Sequence, residues 1–336
     1  MAMPLSRTFG AMLAALGLFF APLPTADAFG PVKGASQQTA EERLLAQFQS
    51  FAALSDGTVG IAVQDLSTGE EQSLNGDTLF PMASTYKVAV AGKILSMADA
   101  GVLALQDQVP LGPALLAKAR SVHDLIDLML THSDNDATDA LVARAGGPAA
   151  VDGWVKALGV KALRVDSDTA HLLYRAMGIS PAAGSFRRNA AAALEADLTL
   201  RERDARDMPN IAFTLDPRDT ATPRAMNALL AAIQLGKALK PASTVYLLGM
   251  MERCHTGKAR LKGMLPPGAR IAHKTGSLNG YGGDVGIVTL SDGRMFAISV
   301  FVMKDYRGRE TRDRIMAQAA RAAYDYFLFA PARRTA

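Results

Sequence analysis

The sequence predicts a mixed α/β (α+β) fold: an antiparallel sheet flanked by helices, with an all-helical lobe inserted into it. Three observations carry this. Val59 to Asp65 and Glu71 to Leu74 flank the turn Ser67-Thr68-Gly69 as a hairpin near the start of the chain. Strand patterns return only near its end, at Ile271 to Thr275, Val285 to Leu290 and Met295 to Met303, the last two separated by the turn Ser291-Asp292-Gly293. Between them, from Ser84 to Leu235, the strong periodicities are helical. A sheet built from both ends of a chain implies one layered lobe interrupted by another, with a cleft between them.

Each element follows from local chemistry. Thr39-Ala40-Glu41-Glu42 has the form of a capping box and opens a helix running toward Ala53. Helical spacing then covers Tyr86 to Ala98, Val122 to Leu130, Ala137 to Ala145, Ala149 to Leu158 and Arg224 to Leu235, and Thr311 to Phe327 closes the chain. The α/β lobe is thus expected from 39–83 and 255–330, and the helical lobe from 84–254. Val165 to Asp216 resists assignment, because only Ala170 to Met177 is apolar-periodic. It reads as an elaborated functional loop with one or two short helices.

Before all of this stands Arg7, an apolar run from Phe9 to Ala21 and the small-residue pattern Ala26-Asp27-Ala28. That order describes a secretory signal spanning 1–28 and a soluble, periplasmic, monomeric product without a membrane anchor. No other stretch approaches the roughly 20 apolar residues of a spanning helix. With 49% apolar and 20% charged residues, disorder over most of the length is excluded. A net charge of +4 with no basic track interleaved with aromatics argues against a nucleic-acid partner. Cys254 is the single cysteine and reads as a partly buried thiol near a helix end. The five histidines are scattered, so neither a metal nor another cofactor is expected; His132 and His273, beside motifs, read as supporting residues.

Three constellations carry chemistry. Ser84-Thr85-Tyr86-Lys87 sets a serine at a helix start, where unpaired N–H groups favour developing negative charge. A lysine three residues on shares its face; in a dry cleft its neutral amine can take the serine proton. Ser133-Asp134-Asn135 lies between two helices and can relay a proton and hold an amide. Lys274-Thr275-Gly276-Ser277 ends a strand, where a cation and a hydroxyl suit a carboxylate and glycine admits close approach. Each alone also reads as an ordinary cap, turn or hairpin. All three occur in order, each in the context its role needs.

Together they resemble the motif set of class A β-lactamases and penicillin-binding proteins. Thr256 to Leu261, Leu265-Pro266, and Asp216 to Pro223, which is similar to the end of that family's Ω loop, extend the resemblance over roughly Thr39 to Phe327. It implies a β-lactamase/transpeptidase-like fold and a serine hydrolase that opens β-lactams through an acyl-enzyme. Ser84 would be the nucleophile, Lys87 its base and Ser133 the proton relay. The N–H groups of Ser84 and Ser277 would form the oxyanion hole. Asn135 would hold the substrate amide, and Arg260, Lys274 and Thr275, beside Ser277, its carboxylate. Alternatives are a penicillin-binding-protein-like peptidase or esterase acting on cell-wall peptides, and a module acylated once by a β-lactam.

Two departures from the pattern stand out. The interval from Lys87 to Ser133 is short, which implies a more open cleft. The Ω loop, 165–219, is long, and its deacylating Glu is not where the pattern puts it. Counting back from Asp219 puts Asn210 at the loop asparagine and Arg206 at the Glu position. The nearest acid, Asp207, is the expected water-activating base, with Glu195 and Glu202 as more distant candidates.

Overall fold

The computed structural model describes residues 38–111 and 118–329; the expected signal segment lies outside them. The chain enters on helix α1 (Ala40–Ala52), whose capping box forms as expected: Glu42 N donates to Thr39 Oγ1 at 3.1 Å and Thr39 N to Glu42 Oε2 at 2.8 Å. Strands β1 (Thr58–Asp65) and β2 (Glu71–Leu74) follow as the predicted hairpin, and β3 (Phe80–Pro81) leads to a 3-10 turn at Ala83–Tyr86. That turn runs into α2 (Lys87–Asp99), so the expected helix begins with a tighter turn.

The middle of the chain contains β4 (Gln108–Leu111), β5 (Lys118–Ser121), α3 (Val122–Thr131), α4 (Asn135–Arg144), α5 (Pro148–Ala157), α6 (Thr169–Met177), α7 (Phe186–Ala196), α8 (Leu198–Ala205) and α9 (Ile211–Thr214). Then come β6 (Thr220–Ala221), α10 (Pro223–Gln234), α11 (Pro241–Glu252), β7 (Arg270–Leu278), β8 (Tyr281–Thr289), β9 (Met295–Met303) and α12 (Arg309–Phe329). The main sheet has the order β2-β1-β9-β8-β7, all neighbours antiparallel, so strands from both ends of the chain meet at the β1–β9 pair. β7 is an edge strand.

Both faces of that sheet are covered. On one, Leu44 and Phe48 of α1 and Ile315, Ala319 and Phe327 of α12 pack on Ile61, Val63, Val288 and Ile298. On the other, α2 and α10 bring Val90, Ile94, Met226 and Leu230 into one apolar core with Val285 and Phe301. The middle is therefore not purely helical: β4 pairs with β5, and β3 with β6.

The segment 165–216 is also not a loop with one or two short helices, for among the described residues it holds α6, α7, α8 and α9. Beyond α6, its longer helices contribute little to the core: α7 and α8 each bury a single side chain, Ala190 and Leu200. Side-chain caps from Asp168, Ser185, Asp197 and Asn210 start them. The segment is closed at its neck by Asp219, 1% exposed, which pairs with Arg175 and accepts from Asp166 N (2.8 Å) and Ser167 N (2.9 Å).

Removing Asp219 strands the N–H groups of Asp166 and Ser167 and leaves Arg175 with Asp216 as its remaining counter-ion. Because Arg175 is 18% exposed, Asp219→Ala is expected to cost about 3 kcal/mol, the low end for a buried pair. Denaturant unfolding measures this, and limited proteolysis should open the segment within 166–218 first.

Candidate active site

The 3-10 turn that carries Ser84 is held against the edge strand β7. An atom at a Cβ position on Gly276 would stand 2.7 Å from the Met82 carbonyl and 3.2 Å from Ser84 N, so only glycine allows this approach. Ser84 and Ser277 both line the cleft. Two non-glycine residues here have left-handed backbones, Ala83 (φ 44°) just before the nucleophile and Ser133 (φ 60°). Strain of that kind persists only where the surroundings fix it.

Ser133 is the meeting point of the polar groups. Its hydroxyl accepts from Lys274 Nζ at 2.9 Å and stands 3.4 Å from Lys87 Nζ. Lys87 is fully buried, and its two short bonds go to Ser133 O (2.7 Å) and Asn135 Oδ1 (2.8 Å). A neutral amine has two N–H groups for those acceptors and a lone pair left for a proton. Burial first, and the neighbouring Lys274 second, hold Lys87 well below the usual lysine range. Burial also pulls Lys274 down to about 8. The α3–α4 turn presents Asn135 at the cleft with Asp134 as the cap of α4 (Ala137 N to Asp134 Oδ1, 2.7 Å).

The opposite wall carries Thr275, Ser277 and Arg260. Thr275 Oγ1 lies 2.6 Å from Thr256 Oγ1. Arg260, 5% exposed, ion-pairs with Asp313 at 2.7 Å and donates to Gly276 O, Gly283 O and Ser277 Oγ. His273 is a support: its Nδ1 lies 2.9 Å from Asp284 Oδ1, both buried, and Asp284 Oδ2 accepts from Leu261 N. Cys254 is buried just past α11, 3.2 Å from Thr256 Oγ1. His132 and His255 are exposed, with ring centroids 4.8 Å apart.

Ser84, Ser133, Asn135, Arg260, Thr275 and Ser277 line one cleft of about 480 Å³. Lys87 and Lys274 reach its floor through Ser133. Asp207 and Asn210 do not join them. Asp207 accepts from Gly280 N at 3.2 Å and pairs with Arg312, so its carboxylate braces the β7–β8 turn against α12. Asn210 caps α9 through Phe213 N and donates to the carbonyls of Arg175 and Ala176. Counting back from Asp219 fails because the intervening residues fold into helices of their own. Glu195 and Glu202 are exposed and do not line the cleft.

Facing Ser84 from the long segment are Thr169, Leu172 and Leu173, none of them singled out by motif. Thr169 Oγ1 lies 2.8 Å from Tyr86 Oη, and Thr169 N donates to Asp139 Oδ1 at 2.7 Å. Burial raises the Asp139 carboxyl above its ordinary value. Among the described residues the one carboxylate lining the cleft is Asp313, and it is committed to Arg260. The only forward signal for Thr169 is its place after the cap Asp168.

A family model described as the β-lactamase enzyme family matches residues 43–327. The chain belongs to the β-lactamase enzyme family. It is 27% identical over 303 residues to the extended-spectrum β-lactamase PER-1 of Pseudomonas aeruginosa, covering 84% of this chain and 86% of that one. It is 28% identical to β-lactamase L2 of Stenotrophomonas maltophilia over 81% of this chain and 83% of the other. The solved β-lactamase from Chitinophaga pinensis superposes with a TM-score of 0.69 at 28% identity, over 84% of this chain and 98% of that one. The expected fold and family are thereby borne out.

Two outcomes test the family member's site as built. Gly276→Ala pushes the turn off β7 and should slow acylation at least about 100-fold, the scale of one lost oxyanion donor; burst kinetics read it. If Lys274 takes a substrate carboxylate, as its motif implies, the cation is the working form, present below about 8 and lost above it. The kcat/KM of a carboxylate-bearing substrate should therefore fall on the alkaline side of about 8, by ~tenfold per pH unit, while that of a neutral ester should not. Lys274→Arg should move that limb upward.

Proposed function

We propose that this chain is a class A-type serine β-lactamase in which Ser84 opens the β-lactam ring and carries the acyl group. The single observation that supports this most is the hydroxyl of Ser133 set between two buried lysines, 2.9 Å from Lys274 and 3.4 Å from Lys87. Neutral Lys87 takes the Ser84 proton as its oxygen attacks the lactam carbonyl. The resulting oxyanion is received by the N–H groups of Ser84 and Ser277. Ser133 then delivers a proton to the departing ring nitrogen and is recharged by the lysines beside it. Asn135 holds the amide of the acyl side chain, its oxygen already fixed by Lys87. Lys274 and Thr275 bind the ring carboxylate. Export through the signal at 1–28 and action as a periplasmic monomer complete the reading.

Release of the acyl group is the slow step. Hydrolysis needs a base within about 2.6–3.2 Å of the attacking water, and the wall facing Ser84 offers Thr169 and two leucines. This feature favours a second reading, a penicillin-binding-protein-like acyl-enzyme that persists. Neutral Lys87 is the base nearest to hand for both half-reactions.

Intact-mass analysis after mixing with a penicillin distinguishes the readings. A transient adduct that clears with turnover, lost in Ser84→Ala, is the expected result; an adduct lasting hours selects the peptidase-like reading. Labelling that survives Ser84→Ala contradicts both. Asp207→Asn, since that residue pairs with Arg312, should change adduct decay less than about twofold while lowering thermal stability, as loss of a partly exposed ion pair would.

A further inference from the structure

The cleft continues beyond its carboxylate site. Arg260 is the cation expected there, yet four of its five N–H groups are taken: Nε by Asp313, Nη1 by the carbonyls of Gly276 and Gly283, and Nη2 by Ser277 Oγ. Its charge is matched by Asp313. It fastens β7, β8 and α12 together and has one N–H left for a ligand.

Arg309, the first residue of α12, is placed differently. It lines the same cleft, is exposed, and among the described residues has no hydrogen-bond or ion-pair partner. Past it the cleft opens into a groove of about 690 Å³ that shares Arg309 and Asp313 as lining. The groove has an apolar floor of Ala259, Met264 and Ala317, and Met264 is 43% exposed. Lys258 and Arg314 add two exposed cations, against Glu310 and the already paired Asp313. An apolar floor under an excess of positive charge suits one kind of occupant, an apolar body ending in an anion.

Which part of a substrate reaches it follows from the acyl-transfer reading, on which this inference rests. Ser133 serves the leaving nitrogen and touches Lys274, so the carboxylate of the leaving half lies toward Thr275 and Arg260. The groove extends from that side, whereas Asn135, Thr169 and Leu172 bound the acyl side. We propose that the groove is a subsite for the leaving half of the substrate and that Arg309 selects leaving-side substituents carrying a second anion. Arg309 is then the specificity-determining residue of the cleft mouth, while Arg260 holds its frame.

The test uses two cephalosporins with the same acyl side chain, one bearing an aromatic thioether on the leaving side and the other its sulfonated counterpart. Calorimetry on Ser84→Ala protein measures binding without acylation. The sulfonated compound should bind about fivefold tighter, the scale of one exposed ion pair. Adding Arg309→Ala should bring the two within twofold without changing the neutral compound, Arg309→Lys should keep part of the difference, and Arg307→Ala, a nearby exposed cation outside the groove, should keep all of it. Equal affinities in the Ser84→Ala parent, a difference preserved in Arg309→Ala, or one lost equally in Arg307→Ala would overturn the proposal. Mass spectrometry of the full enzyme with the same pair separates the two questions: failure to acylate Ser84 refutes the acyl-transfer reading alone, and loss of the affinity difference refutes the groove alone.

Discussion

Two lysines buried against one serine hydroxyl are the constraint on which the rest depends. Lys87 comes from α2, Lys274 from the edge strand β7 and Ser133 from the turn between α3 and α4, so three distant stretches of chain converge on one oxygen. Two ammonium groups cannot both stay charged in so dry a place without great cost. Burial therefore does chemical work. It holds Lys87 well below the usual lysine range, and a neutral amine at this place satisfies Ser133 O and Asn135 Oδ1 with its two N–H groups and keeps a lone pair.

The surrounding structure exists to hold that arrangement. Left-handed backbones at Ala83, beside Ser84, and at Ser133 are uncommon for either residue type and are held by their surroundings. Gly276 lets β7 approach the Ser84 turn, and the buried His273–Asp284 pair ties β7 to β8 and to the backbone following Arg260. β7 is the sheet's edge strand, and its Thr275 and Ser277 line the cleft. The long segment from 165 to 219 supplies a wall of Thr169, Leu172 and Leu173.

Much of this was legible in the residues. The capping box at Thr39, the two end-of-chain groups of strands, most of the helices packed on the core and the three motifs are each local patterns, and the motif side chains come together at one cleft. What escaped has physical causes. α11 starts at Lys240-Pro241 without a side-chain cap and has no clear apolar stripe, so nothing local announces it. α7 and α8 each bury a single side chain, and α8 in addition carries a cap but no clear period. Asp207 and Asn210 were placed by counting along a chain that in fact folds back through helices, and spacing has meaning only along an element of known geometry. The engagement of Arg260 by Asp313 and the exposure of Arg309 depend on where α12 docks, which no motif records.

The central claim is the protonation state of the lysine pair, and titration of 15N- and 13C-labelled lysine side chains by NMR reads it directly, with Lys87→Arg and Lys274→Arg spectra assigning the two signals. The account predicts that Lys87 gives up its proton well below the ordinary lysine range and before Lys274, whose own titration centres on about 8. A Lys87 signal that stays protonated through the usual lysine range would contradict it.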